Sequence, residues 1–253
     1  MAAFLTIVIV GTSGSARFLR GIQLFPMKQI TNRLYQISLG AVNAFLIEDN
    51  GLTLVDTGLP GSTEKVFAAL QKEGKNPAHI KRIILTHLHT DHAGNAADIK
   101  RRVNARVYAH QEDARLLEQG ISGRPMALTP GLTNKFIYQM FIKNAGTTVP
   151  PVAVDEKLTD GDVIPLLGGI QVIHTPGHSA GHVALLLPSE GVLLAADLCA
   201  HVLCLAYSTL YEDRALGQQS LRKAAALSFD TAVFGHGDPL HEHANRKLRE
   251  KFA

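Results

Sequence analysis

Seven residues of the types that bind metal ions lie in four short segments of the chain. Three histidines and one aspartate occur between residues 87 and 92, and the other three segments each hold one further imidazole or carboxylate. The seven residues are His87, His89, Asp91, His92, His178, Asp197 and His236. Such groups are costly to bury without a partner, so packing alone does not account for them. We therefore interpret them as one metal site rather than as a polar surface loop that happens to be rich in histidine.

The predicted secondary structure supports a common site. His87 and His89 are two residues apart at the end of a strand, so their side chains point to the same side. Asp91 and His92 follow at the entry to a helix. The motifs TPGH, AAD and GHG each come directly after a predicted strand, where loops form functional sites. Imidazole and carboxylate ligands suit zinc, with manganese, iron or cobalt as alternatives.

The elements that must position this site alternate between strands and helices. The first strands read LYQISL, AVNAFLIE and LTLVDTG, and the Asn50-Gly51 pair between the last two indicates a hairpin. Apolar periodicity predicts helices over residues 62–72, 94–103, 111–119, 133–143, 214–228 and 239–251. Strands in two runs, each interrupted by helices, favour an α+β fold in which two sheets pack face to face and helices flank them.

The chain is divided into three parts by its sequence pattern. Residues 1–26 precede Met27 and the first well-patterned strand, and we expect them to form an N-terminal extension outside the core. Residues 27–253 are predicted to form a single domain. Within this domain, residues 111–150 break the alternation of strands and helices, and we expect a helical insertion there.

The motifs HLHTDH, TPGH, AAD and GHG, in that order, resemble those of the metallo-β-lactamase-fold hydrolases. The resemblance covers most of the chain, from about residue 34 to residue 239. It implies an αββα sandwich of two mixed sheets, with the metals at one edge. Position by position, it implies two zinc ions, the first bound by His87, His89 and His178, the second by Asp91, His92 and His236, and both bridged by Asp197.

The same resemblance implies a hydrolytic mechanism. Two metal ions can share a water and convert it to a hydroxide that attacks a carbonyl or phosphoryl group. Asp197 bridges the ions, and we expect Asp91 to pass a proton to the leaving group. Asp56 in VDTG matches a position that forms hydrogen bonds into the site and orients its ligands. We expect His182 to lie behind the ligands rather than to bind metal.

The sequence limits the range of candidate substrates without identifying one. An aspartate at the bridging position, here Asp197, resembles the pattern of the glyoxalase II and lactonase-like branches of the family. The same resemblance disfavours the true zinc β-lactamases, which lack this carboxylate. Acyl-homoserine lactonases carry a tyrosine where this chain has Ala200, and glyoxalase II has a longer basic C-terminal region. The predicted substrate pocket is formed by His201, Tyr207, Tyr211, Met126, Phe136 and Met140. Its apolar character predicts a small, fairly apolar ester, lactone or thioester, although part of this set is expected simply to pack helices onto the sandwich.

Other functions remain open at this stage. β-Lactamase or phosphotriesterase activity would use the same ligands. A mononuclear iron dioxygenase or redox member of the fold is a further alternative, which the full set of seven ligands disfavours. A nuclease would need a basic surface for nucleic acid.

Composition limits partners and location. A formal net charge of +3 is too small to indicate a nucleic-acid partner. The apolar residues 4–10 (FLTIVIV) are too few to span a bilayer, so no membrane partner is expected. The cysteines, Cys199 and Cys204, do not suggest a disulfide framework, which favours a reducing, cytoplasmic location over a secreted or periplasmic one. We expect the substrate to be a small molecule. The protein could assemble as a homodimer.

Overall fold

The computed structural model describes residues 27–144 and 146–252, and the predicted extension at residues 1–26 lies outside this range. The strands are β1 (Met27–Gln29), β2 (Leu34–Ser38), β3 (Asn43–Glu48), β4 (Leu52–Val55), β5 (Ile80–Ile84), β6 (Arg106–His110), β7 (Ala127–Leu128), β8 (Glu156–Leu158), β9 (Val163–Ile164), β10 (Ile170–His174), β11 (Val183–Leu187), β12 (Val192–Ala196), β13 (Cys199–His201), β14 (Leu205–Tyr207), β15 (Leu210–Tyr211) and β16 (Thr231–Phe234). The α-helices are α1 (Thr63–Lys72), α2 (Thr90–Ala93), α3 (Ala96–Val103), α4 (Gln111–Glu118), α5 (Leu132–Ile137), α6 (Arg214–Ala225) and α7 (Ala244–Phe252).

The first large sheet has the strand order β1-β2-β3-β4-β5-β6-β8. Strands β1 to β4 pair antiparallel, and β4, β5, β6 and β8 pair parallel. The predicted hairpin between β3 and β4 is confirmed. Asn50 and Gly51 in its loop have φ angles of +48° and +104°, a conformation that asparagine and glycine adopt at the least cost.

The second large sheet has the strand order β16-β12-β11-β10-β9. Only its β12–β16 pair is parallel. The register of this pair shifts between Leu194 and Ala196, and Ala196 has a φ angle of +47°. The irregularity changes the direction of the chain immediately before Asp197. A positive φ in alanine is strained, and such strain concentrates at functional sites.

The two sheets pack face to face, with helices on both outer faces. Phe45 of the first sheet and Leu185 of the second lie in one fully buried cluster between the sheets. Leu70 of α1 packs on the outer face of the first sheet, and Leu248 of α7 packs on that of the second. Each fully buried leucine or phenylalanine contributes roughly 2 kcal/mol to stability. The predicted αββα architecture is confirmed.

The last helix begins later than the sequence pattern predicts. The prediction was residues 239–251, whereas α7 starts at Ala244. Leu240 instead exchanges two backbone hydrogen bonds with Ala232 of β16, with N···O distances of 2.8 and 2.9 Å. This isolated β-bridge keeps residues 239–240 extended.

Residues 111–150, the predicted insertion, fall into two parts. Helix α4 packs into the core, where Leu117 is fully buried. Residues 121–148, which we call the cap segment, are closed at their base by a bridge between Ile121 and Thr148. The cap segment contains β7, α5 and a π-helical turn, Tyr138–Ile142, and its β7 pairs with β15. Leu132 and Phe136 of α5 are 89% and 63% exposed.

No helix within the described ranges is both long enough and apolar enough to cross a bilayer.

Candidate metal centre

The seven predicted ligands are brought together at one edge of the sandwich. The loop after β5 carries His87 and His89 and continues into α2, which contains Asp91 and His92. The other three ligands follow β10, β12 and β16. The ligand atoms form three overlapping groups in which every separation is within 4.8 Å: His87, His89 and His178; His87, His92 and Asp197; and Asp91, His92 and His236.

Distances within this cluster fit atoms that face a common cation. His89 Nδ1 lies 2.9 Å from His178 Nε2. The Asp197 carboxylate lies 3.4 Å from His178 Nε2 and 3.1 Å from His236 Nε2 through one oxygen, and 3.4 Å from His92 Nε2 through the other. A tetrahedral zinc ion with bonds of about 2.0–2.1 Å separates its ligand atoms by about 3.3 Å. The donor set therefore matches the spacing that a metal ion requires.

Several of these atoms are buried without any hydrogen-bond partner. Of the seven such side-chain atoms found in the described ranges, four belong to the cluster: Nε2 of His87, His89 and His92, and Oδ1 of Asp197. Orphaned buried polar atoms are rare in folded proteins and call for a specific explanation. His89 meets the cluster through its other ring nitrogen, Nδ1, so cations would satisfy the remaining three atoms, and these residues fit metal ions.

Electrostatics divide the histidines into two sets. Burial lowers the pKa of His87, His89 and His178, that of His89 to about 3. These imidazoles are neutral near pH 7 and retain a lone pair for a cation. Burial also acts to lower the pKa of His92 and His236, but the facing carboxylates, Asp197 foremost, outweigh it and raise both. One half of the cluster is thus neutral, and the other is an ion-paired group.

Asp56, at the end of β4, orients two ligands from behind. Its Oδ1 accepts the Thr86 N–H at 2.8 Å, and its Oδ2 accepts the Thr86 hydroxyl at 2.7 Å. Oδ2 also lies 2.8 Å from His92 Nδ1, and Thr86 Oγ1 lies 3.0 Å from His87 Nδ1. Asp56 is fully buried with a φ angle of +60°. Through these bonds the Nε2 atoms of both imidazoles are turned toward the cluster.

Backbone carbonyls hold two further ligands. His178 Nδ1 donates to the Leu210 carbonyl at 2.9 Å, and His236 Nδ1 donates to the Ala41 carbonyl at 2.7 Å. His182 is fully buried, and its Nε2 accepts the Asp197 N–H at 3.2 Å. It therefore lies behind Asp197, and its ring nitrogens are occupied by that bond and by one to Thr175, 2.8 Å from Nδ1.

The site also depends on a close approach at Gly235. A Cβ atom on Gly235 would lie 2.0 Å from Asp197 Oδ1 and 2.8 Å from His92 Cε1, far inside contact distance. Asn43 fixes this backbone by donating through Nδ2 to the carbonyls of Phe234 at 3.0 Å and Gly237 at 2.8 Å. The first glycine of the GHG motif therefore provides space for the Asp197 carboxylate.

The sequence analysis missed Asn95, which joins two site loops. Its Nδ2 donates to the carbonyls of Thr57 and Gly58, and its Oδ1 accepts the Ser62 N–H at 2.9 Å. The Thr57 hydroxyl in turn donates to the His92 carbonyl at 2.7 Å. Asn95 thus fastens the turn after Asp56 to α2. The only signal for it in the sequence is a polar residue close to the HLHTDH motif.

The predicted pocket residues from the second half of the chain have varied surroundings. Tyr211 is fully buried, and its hydroxyl donates to the Leu198 carbonyl and accepts the Ser208 N–H, so the hydroxyl is occupied within the fold. The Tyr207 ring packs 4.9 Å from the ring of Phe252 in α7. His201 Nδ1 donates to the Asp238 carbonyl at 2.9 Å, and the side chain lines a shallow groove beside α7.

The pocket residues predicted in the cap segment are more accessible. Met126 is half-buried, and Phe136 and Met140 are 63% and 61% exposed. The cap segment is joined to the ligand loops by hydrogen bonds. Thr90, between two ligands, lies 2.7 Å from Ser122 Oγ and donates to the Gly146 carbonyl at 2.6 Å. The base of the cap segment is therefore attached to the loop that carries the first ligands.

Comparison with known proteins adds the family. Residues 37–236 match the family model of the metallo-beta-lactamase superfamily. The chain is 33% identical over 165 residues to the uncharacterized protein YobT of Bacillus subtilis (strain 168), covering 63% of each protein. It is 28% identical over 211 residues to a hydroxyacylglutathione hydrolase of Cereibacter sphaeroides (strain ATCC 17029 / ATH 2.4.9), covering 81% of this chain and 64% of that protein. Both alignments span somewhat less than two thirds of the relative's length.

A solved structure agrees with the family model. The chain is similar to BJP-1, a subclass B3 metallo-beta-lactamase of Bradyrhizobium japonicum, with a TM-score of 0.63 and 26% identity, over 83% of this chain and 77% of that one. The sandwich, the cluster of histidines and aspartates at its edge and the match over residues 37–236 lead to one conclusion. The chain belongs to the metallo-beta-lactamase superfamily of metallo-hydrolases.

Proposed function

We propose that the protein is a hydrolase with two zinc ions that cleaves a small, fairly apolar thioester, ester or lactone. The observation that carries the proposal is the position of Asp197. One of its oxygens faces His178 and His236, and the other faces His92. A carboxylate between two groups of imidazoles is suited to bridge two cations.

The ligands fall into two sets around this bridge. The neutral imidazoles of His87, His89 and His178 would hold a first ion, which we call the first metal. Asp91, His92 and His236 would hold the second metal. Paired metal ions lower the pKa of a water molecule and polarise the oxygen of the scissile bond.

Asp91 is the residue of the chain best placed to move a proton. Its Oδ2 lies 3.4 Å from His236 Nε2 and 3.8 Å from His92 Nε2, yet its side chain is 32% exposed. It therefore reaches both the cluster and the solvent side where a substrate would enter. We propose that the Asp91 carboxylate takes a proton at the cluster and delivers it to the leaving group.

Two observations support the substrate class. The relatives named hydroxyacylglutathione hydrolase favour an acyl compound, and a thioester in particular. The exposed apolar side chains of the cap segment, whose base is hydrogen-bonded to Thr90, favour a substrate with apolar character. Large exposed apolar groups of this kind often mark binding sites.

A second candidate is β-lactam hydrolysis, favoured by the similarity to BJP-1. Phosphotriester hydrolysis would use the same ligands. A mononuclear iron dioxygenase or redox protein would need only part of the cluster, and metal content separates it from a dinuclear hydrolase.

The test combines metal analysis with a substrate panel. We expect two zinc equivalents per chain in the purified protein, and turnover of short acyl thioesters, esters or lactones above that of β-lactams and phosphotriesters. A strong chelator should abolish turnover, and added zinc should restore it. One equivalent of iron, or turnover that survives complete removal of metal, would contradict the proposal.

A further inference from the structure

A second buried carboxylate, Asp113, lies outside the ligand cluster and accepts four hydrogen bonds. It is in the first turn of α4 and is fully buried. Its Oδ2 accepts the Leu88 N–H and the Ser179 hydroxyl, each at 3.1 Å. Its Oδ1 accepts the Gly181 N–H at 3.1 Å and a guanidinium N–H of Arg124 at 2.9 Å. A carboxylate with this many donors is held in one orientation.

Three of the four donors come from the two loops that would hold the first metal. Leu88 stands between the ligands His87 and His89, and Ser179 directly follows the ligand His178. Asp113 therefore spans the gap between these loops, which are distant in sequence and come from different sheets. The packing is close, because a Cβ atom on Gly181 would lie 2.4 Å from Asp113 Cγ.

Arg124 of the cap segment forms an ion pair with Asp113. Its guanidinium also lies 3.4 Å from Glu212 Oε1, and it donates to the Glu112 carbonyl. Glu212 accepts the Ala180 N–H at 2.8 Å through its other oxygen. Burial raises the pKa of Asp113, and the Arg124 guanidinium opposes this rise. Arg124 thus favours the ionised carboxylate that four donors require.

We propose that Asp113 is a positioning residue for the first metal: it fixes the distance between the His87–His89 loop and the His178 loop, and thereby sets the affinity of that metal. The inference rests on the proposed function, since it assumes two metal ions. The second metal would be held by Asp91, His92 and His236, none of which is hydrogen-bonded to Asp113 in the described ranges.

The Asp113→Asn variant tests this role with little change in volume. An amide presents two N–H groups on one side, so the N–H of either Leu88 or Gly181 loses its acceptor. The bond between Asp113 and one of the two loops is then broken. Residues that orient metal ligands typically change metal affinity 10–100-fold when replaced.

The measurement is zinc affinity, by competition with a chromophoric chelator, in a double-mutant cycle. In a His236→Ala background, which leaves the first metal's ligands intact, Asp113→Asn should weaken zinc binding tenfold or more. In a His89→Ala background, which leaves the second metal's ligands intact, the same change should alter affinity less than twofold. A residue with only a structural role would weaken both backgrounds alike or neither, and either pattern would overturn the proposal.

Two further variants keep the test decisive. Asp155→Asn is the matched control, because Asp155 likewise accepts a backbone N–H, from Val107, and a basic side chain, Lys100, away from the ligand loops. It should leave zinc affinity unchanged. If Asp113→Asn does not fold, Ser179→Ala removes a single donor and should weaken the first metal several-fold in the His236→Ala background. Unchanged affinity there would contradict the role of Asp113. If the wild-type protein binds no zinc, the proposed function itself fails.

Discussion

The ligand loops and the cap segment lie side by side but are held by different interactions. In the ligand loops, the ring nitrogens that face away from the cluster bond to fixed partners, such as Asp56 behind His92 and the Leu210 carbonyl behind His178. In the cap segment, the large side chains of α5 face solvent, with Leu132 89% exposed. The segment is attached through backbone pairing of β7 with β15 and a few hydrogen bonds.

This difference suggests that the ligand loops carry the chemistry and that the cap segment selects the substrate. The ligand atoms are oriented before any substrate arrives, so the protein spends little energy on their reorganisation. The exposed apolar side chains of α5 and the π-helical turn can be replaced at little cost in stability. Changes in the ligand loops should therefore alter metal binding and rate, whereas changes at these exposed side chains should alter substrate preference alone.

The largest expected effect is that of Asp197→Asn. An amide oxygen cannot supply the charge that a bridge between two cations requires, so turnover should fall about a thousandfold, corresponding to about 4 kcal/mol. Bound zinc should also fall below two equivalents. Asp162→Asn is a suitable control, because Asp162 accepts the Thr159 N–H far from the cluster, and its activity should match wild type. Full activity in the Asp197 variant would contradict the view that the ligand loops, and not the cap segment, carry the chemistry.

Asp56→Asn should have the next largest effect. Because Asp56 orients both Thr86 and His92, its loss should weaken zinc binding by about 10–100-fold. Chelator competition measures this directly. Asp49, in the loop between β3 and β4, accepts the Leu167 N–H at 2.6 Å, and its asparagine variant should bind zinc as tightly as wild type. Equal zinc affinities in the two variants would show that the hydrogen bonds from buried Asp56 do not contribute to metal binding by the ligand loops.

A paired substitution, Phe136→Ser with Met140→Ser, tests the cap segment. We expect KM for the longer and more apolar of the small acyl substrates to rise about tenfold, since apolar contact of roughly 1.4 kcal/mol is lost. KM for acetyl substrates and the zinc content should stay within twofold, and the free energy of unfolding within about 0.5 kcal/mol. Val163→Ser, another exposed apolar position, at 61%, serves as control. An equal loss for short and long substrates would contradict the division of roles.

The last prediction concerns stability rather than activity and involves His110, which directly precedes α4. Its ring stacks on that of His174 with centroids 3.9 Å apart, and burial, then the neighbouring imidazole, lowers its pKa to about 4 from an ordinary 6.5. Between pH 6.5 and 4 the unfolded chain binds more protons, so stability falls as pH falls through this window. Between these pH values, the free energy of unfolding of His110→Gln should therefore fall by roughly 2 kcal/mol less than that of the wild-type protein. His79→Gln, at an exposed position, should follow wild type.

The cluster of candidate ligands could be predicted from the sequence because its signal is local. Four of them occupy residues 87–92, and the other three each follow an apolar strand. Asp113 and Asn95 could not, since their partners lie up to 68 and 38 residues away and are identified only by the fold. One signal was available for Asp113: it shares the buried face of α4 with Ala114 and Leu117, where a carboxylate must find donors.

The sheets were predictable for a similar reason, whereas some element ends and side-chain environments were not. Period-two and fully apolar runs identify strands wherever they pair. The start of α7 depends on the bridge between Ala232 and Leu240, which no local pattern reveals. Tyr211 was grouped with the pocket because it follows the bridging aspartate, but its hydroxyl is engaged by Leu198 and Ser208.

The close approach of Gly235 to Asp197 has an evolutionary consequence. Any other amino acid places a carbon atom where the carboxylate oxygen lies, so no single replacement at residue 235 leaves the bridge intact. A lineage that leaves glycine must lose or rebuild Asp197 at the same time. The exposed side chains of α5 carry no such restriction, so we expect them to vary among related proteins while residue 235 stays glycine.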